Sequence, residues 1–143
     1  MNLTPQSIQS IKETVPLIRA QAENVTTRMY EILFTKYPQT KPLFANATSD
    51  QHKKLAGAIA AFAGNVDNLP MLSAAVEKMA TAHVATEVKP DHYPMVADAL
   101  ITAMGDVLGD AFTDERKSAW IEGYTFLAGI LMQRERQLYA QQN

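Results

Sequence analysis

The residues of this chain that could do chemistry are polar side chains lying on apolar helical stripes. His83 follows Met79 by four residues and Ala80 by three, continuing a face that begins at Leu72 and Val76. A neutral imidazole there can ligate a metal. It can equally be a core histidine bonded to a carbonyl, and spacing alone leaves both readings open. Glu135 falls four after Leu131 and three before Leu138, on a stripe shared with Trp120, Tyr124 and Leu127. A carboxylate on that face needs a donor if it is buried, unless it sits at the margin and reaches solvent. Tyr93 opens the stripe Tyr93, Val96, Leu100, Ala103 and Val107, and Tyr30 shares a face with Leu33, Phe34 and Tyr37. Both also fit an ordinary core tyrosine with a satisfied hydroxyl. Gln51 lies four before Leu55, which leads Ile59, Phe62 and Val66; at a helix start it can also be a cap or a solvated edge. Each of these residues has an ordinary reading. One arrangement uses them together: a large flat apolar ligand between two helices, with a histidine on one side and two donors on the other.

Other chemistries find less support. His52 follows Gln51 and points about 100° away around the helix, towards solvent, and His92 opens a helix at the surface. A zinc site built from the three histidines would need them to converge, which the stripes do not favour. Cysteine is absent, which excludes disulfides, iron–sulfur clusters, a thiol nucleophile and covalent c-type haem attachment. The glycines form no phosphate-binding pattern, and no Ser-His-Asp ordering suggests a hydrolase.

The elements that must position these residues read as helices. The 143 residues, 47% of them hydrophobic, suffice for one compact domain and are too few for two. No stretch alternates cleanly with period two, so the fold class is all-α, with about six main helices plus a short one. Thr4-Pro5 reads as an N-cap and first helical position, opening a helix to about residue 19 that Pro16 kinks or ends early. A second helix spans about 23–37, then Pro38 and Pro42 bracket a short turn ending at Leu43-Phe44. Residues 45–50 read as a polar loop. Further helices are expected over about 51–66, 69–85, 92–108 and 113–139, with Asp91 as the N-cap of the helix after Lys89-Pro90. A formal net charge of -2 suggests neither nucleic acid nor an anionic membrane as partner, and no apolar run could span a bilayer. The N-terminus lacks the basic-then-apolar order of a secretory signal, so a cytoplasmic protein is expected.

Several segments carry a resemblance over essentially the whole chain. They are Ile11-Lys12-Glu13-Thr14-Val15-Pro16, Tyr37-Pro38 followed by Lys41-Pro42-Leu43-Phe44, Asp67-Asn68-Leu69-Pro70, His92-Tyr93-Pro94 and Leu138-Tyr139-Ala140-Gln141. As a set they resemble the single-domain bacterial haemoglobins and the globin domain of flavohaemoglobins. The resemblance implies a globin fold, a three-over-three helical sandwich around a non-covalent haem b and its iron. It implies that His83 is the proximal iron ligand, that Phe44 packs on the haem, and that Tyr30 and Gln51 are the distal tyrosine and glutamine with Leu55 the distal apolar residue. Tyr93 and Glu135 match the proximal pair that hydrogen-bonds around the histidine. Flavohaemoglobins usually carry a lysine just before that histidine, where this chain has Ala82.

The same resemblance implies a function. A Glu135 that accepts from His83 gives the ring imidazolate character, and Tyr30 donates to a gas ligand bearing partial negative charge. Oxygen, nitric oxide and other small haem ligands are the expected partners. Residues 1–143 are expected to be a single globin domain without the family's flavin and nicotinamide reductase domain. A separate reductase is then the expected electron source, and the protein a monomer or weak homodimer. Two classes stay open: nitric oxide detoxification to nitrate, with Tyr30, Tyr93 and Glu135 as its working residues, or non-catalytic oxygen binding, storage, delivery or sensing. A haem-free helical interaction module is the remaining reading, and it would need His83 to be dispensable.

Overall fold

The computed structural model describes residues 3–44 and 51–142, and these form helices and turns with no strand among them. The α-helices are α1 (Pro5–Glu13), α2 (Val15–Lys36), α3 (Gln51–Gly64), α4 (Ser73–Ala85), α5 (His92–Leu108) and α6 (Asp114–Gln142). Short 3-10 turns at Pro38–Phe44, Leu69–Leu72 and Gly109–Ala111 join them. The expected polar loop over 45–50 lies outside the described residues.

Helix α1 starts as its sequence dictates: the Thr4 hydroxyl accepts from the Ser7 amide at 3.2 Å, with Pro5 behind it. It ends earlier than expected, at Glu13, and the expected break between residues 19 and 23 does not exist. Pro16 sits in the first turn of α2, where a missing N–H costs nothing, and Ala20-Gln21-Ala22 carry the helix on. Two other expectations are corrected. The helix expected from Leu69 begins as a 3-10 turn and becomes α-helical only at Ser73. Asp91 precedes α5 but makes no side-chain cap bond, because its backbone is already in the right-handed helical region (φ -64°, ψ -20°) rather than extended.

The corner between α1 and α2 is held from α6. Thr14 is fully buried; its hydroxyl donates to the Ile11 carbonyl at 2.6 Å and accepts from Trp120 Nε1 at 3.0 Å. Thr14→Val preserves shape but leaves the buried indole N–H without a partner. We expect a loss of about 1–3 kcal/mol in urea unfolding, with the m-value unchanged. Nearby, α6 comes so close to α1 that a Cβ on Gly123 would lie 2.9 Å from Ile11 Cδ1.

The main core gathers Ile18, Val25, Met29 and Leu33 of α2 with Phe62 of α3, Leu100 and Met104 of α5, and Trp120. A second, smaller cluster joins Ala80 of α4 to Tyr93 and to Ala128 and Leu131 of α6. Helix α2 packs on α3 and α5, whereas α4 packs on α6. Thus α3 and α4, which carry Gln51 and His83, lean mainly on different neighbours. A bidentate ion pair also ties α4 to α6: Arg134 donates to Glu77 at 2.7 and 2.8 Å, an exposed contact of small energetic weight.

Candidate functional site

His83 lies in the last turn of α4, and its ring is fixed by residues of two other helices. Nδ1 is 2.8 Å from Glu135 Oε2 and 3.1 Å from the Tyr93 hydroxyl. The Tyr93 hydroxyl donates to both Glu135 oxygens, at 2.8 and 2.6 Å. A carboxylate offers only acceptors, so Nδ1 keeps the ring proton and donates it to Glu135, which leaves the lone pair on Nε2. Glu135 is only 3% exposed, so of the two readings its spacing left open the buried one holds, and it has two donors there. Burial, and then the bond to Glu135, raises the Tyr93 phenol far above its ordinary value, so Tyr93 remains a donor. Tyr124 on α6 holds Tyr93 from behind by donating to its backbone carbonyl at 2.9 Å. Burial raises the Tyr124 phenol too, with the Glu135 charge adding to it.

Tyr30, Phe34 and Phe44 form an aromatic cluster at the far end of α2. The Tyr30 and Phe44 rings meet edge-on with centroids 5.3 Å apart, and Tyr30 stacks on Phe34 at 5.6 Å. Burial raises the Tyr30 phenol, partly offset by its hydrogen bond with the Gln51 side chain. Leu55, one turn after Gln51, is half-buried against the main core. Two groups of candidate residues therefore form: His83, Tyr93 and Glu135 on α4, α5 and α6, and Tyr30, Phe44, Gln51 and Leu55 around α2 and α3.

The remaining histidines stay apart, as the stripes indicated. His52 faces Glu23 at 3.8 Å, and His92 accepts from the Lys89 amide at 2.9 Å. No group of metal-binding side chains occurs among the described residues. No helix among them is long and apolar enough to cross a membrane. Sequence reasoning missed Thr26, which is fully buried and donates to the Glu23 and His52 carbonyls at 3.1 and 2.9 Å. It ties the first turn of α3 to α2, one turn from Tyr30. A threonine on an otherwise apolar stripe was the available signal.

A flat apolar group with one axial site fits these residues. Nδ1 of His83 is engaged twice, nothing among the described residues bonds Nε2, and the His83 side chain is 32% exposed. Met79, Leu127, Phe44, Leu55 and Val96 are apolar yet only partly buried. One unengaged nitrogen, on a chain that also keeps apolar side chains of both clusters only partly buried, suits a large ring system whose metal needs one protein ligand.

The family model described as Globin matches residues 27–131. The chain is 46% identical over 139 residues to an uncharacterized globin-like protein of Aquifex aeolicus, spanning 97% of this chain and 99% of that protein. It is 43% identical over 143 residues to a flavohemoprotein of Rhodopirellula baltica, spanning 98% of this chain but 35% of that longer protein. Its fold superposes on that of a candidate nitric oxide dioxygenase of Rhodothermus marinus, engineered as a carbene transferase, with a TM-score of 0.93. The two are 37% identical, with 97% of each chain covered. The chain belongs to the globin family. Its all-α architecture is the globin fold that the sequence resemblance implied.

Proposed function

We propose that residues 1–143 form a single globin unit that holds one non-covalent haem b and combines oxygen with nitric oxide to give nitrate. The observation that carries this reading is the 2.8 Å bond from His83 to a carboxylate that is almost wholly buried. In this reading His83 would hold the haem iron through Nε2, and Glu135, accepting from Nδ1–H, would make the ring a stronger donor. Tyr93, donating to both carboxylate oxygens, stops Glu135 from rotating away. Phe44 and Leu55 keep water from the opposite side, and Tyr30 and Gln51 are the donors there. When bound, the haem supplies the iron at which oxygen and nitric oxide react.

The balance is NO plus O2 plus one electron giving nitrate, so each turnover consumes an electron. A separate reductase is the proposed source, in a cytoplasmic setting. The flavohemoprotein and the candidate dioxygenase among the relatives support this chemistry.

Mixing the oxygenated protein with nitric oxide tests the reading. Rapid stoichiometric nitrate is expected, sustained when a flavin reductase and nicotinamide cofactor are added. Slow reaction, or no return to the ferrous form, would leave oxygen storage or sensing instead.

A further inference from the structure

We propose that Tyr139 is a positioning residue for His83, acting through the turn that ends α4; this rests on His83 being the axial ligand. His83 lies two residues before the end of its helix, so the helix cap bears directly on it. The Val88 amide donates to the His83 carbonyl at 2.8 Å, and the Glu87 amide donates to the Val84 carbonyl at 3.1 Å. These paired bonds make a Schellman cap, and His83 supplies its innermost carbonyl. The left-handed position of such a cap is usually glycine. Here it is Glu87, with φ 64°, the one non-glycine residue with positive φ among the described residues. A side chain at that φ is disfavoured, so the turn persists only with support from outside.

Helix α6 provides that support. The Tyr139 hydroxyl donates to the Val88 carbonyl at 2.8 Å, and the Lys89 ammonium lies 4.1 Å over the Tyr139 ring. A chain of bonds thus runs from Tyr139 through Val88 to the backbone of His83. Tyr139 is four residues after Glu135, on the same face of α6. One helix therefore carries the acceptor for the His83 ring and also the clamp on the end of the helix bearing that ring. Without the clamp the last turn of α4 can slide along α6, and the short His83–Glu135 bond is the first contact to lengthen.

The test uses the full chain loaded with haem. Tyr139→Phe keeps the ring and its contact with Lys89 and removes only the hydroxyl. In the ferrous, ligand-free protein, resonance Raman spectroscopy should show the iron–histidine stretching band moved to lower frequency. The shift should have the direction given by Glu135→Gln, and a smaller size. Haem transfer to an apomyoglobin acceptor should be about fivefold faster, as expected for one lost neutral hydrogen bond. In the apoprotein the Val88 amide should exchange faster with deuterium. A purely structural role would lower the melting temperature and leave the iron–histidine band in place, and that result overturns the proposal. If wild type shows no iron–histidine band and His83→Ala takes up haem equally well, the haem reading fails as well.

Discussion

Glu135→Gln is expected to raise the ferric/ferrous midpoint potential by roughly 60–130 mV. The carboxylate is buried and accepts from His83 and Tyr93 at once. A buried negative charge one bond behind the axial ligand favours the more positively charged ferric state, so its removal favours ferrous. A charge-assisted hydrogen bond is worth roughly 1.5–3 kcal/mol, and about 59 mV corresponds to a tenfold change for one electron. Glutamine keeps the side-chain volume, and its amide oxygen can still accept from Tyr93, so the fold should survive. Spectroelectrochemistry on the haem-loaded variant checks the value. A potential equal to wild type would mean that Glu135 stabilises the fold without tuning the haem.

The cluster of His83, Tyr93 and Glu135 was legible because each member is a polar residue on an apolar helical stripe. His83 continues the line of Met79 and Ala80, and Glu135 lies between Leu131 and Leu138. Those spacings alone could not choose between a core histidine and a ligand. Glu135 meeting Nδ1, with Nε2 left unbonded among the described residues, is the feature that favours ligation. What the sequence did not disclose are bonds from side chains to backbone. Tyr139 to Val88, Tyr124 to Tyr93 and Thr26 to His52 all end on carbonyls, which every residue has, so no residue type marks the acceptor. The misplaced helix ends have a related cause. Pro16 kinks or ends a helix when it lies inside one, yet in a first turn the same ring starts a helix. Asp91 has the right side chain for a cap but the wrong backbone.

Tyr30→Phe should speed oxygen release by about tenfold or more. The estimate follows from losing one charge-assisted hydrogen bond worth roughly 1.5–3 kcal/mol, where 1.4 kcal/mol is a factor of ten. Phe34 and Phe44 hold the Tyr30 ring in place, and burial keeps its hydroxyl protonated and able to donate. Phenylalanine keeps both aromatic contacts and removes only the donor. The pH dependence separates this role from a general loosening of the pocket. Burial raises the Tyr30 phenol above its ordinary value of about 10, so the neutral, donating form is kept below that pH and is lost only as pH rises through the raised value. The wild-type off-rate, followed by stopped-flow displacement of oxygen with carbon monoxide, should therefore be flat from about pH 6 to 9 if Tyr30 is the group that governs it. An off-rate in Tyr30→Phe equal to wild type would transfer the donor role to Gln51.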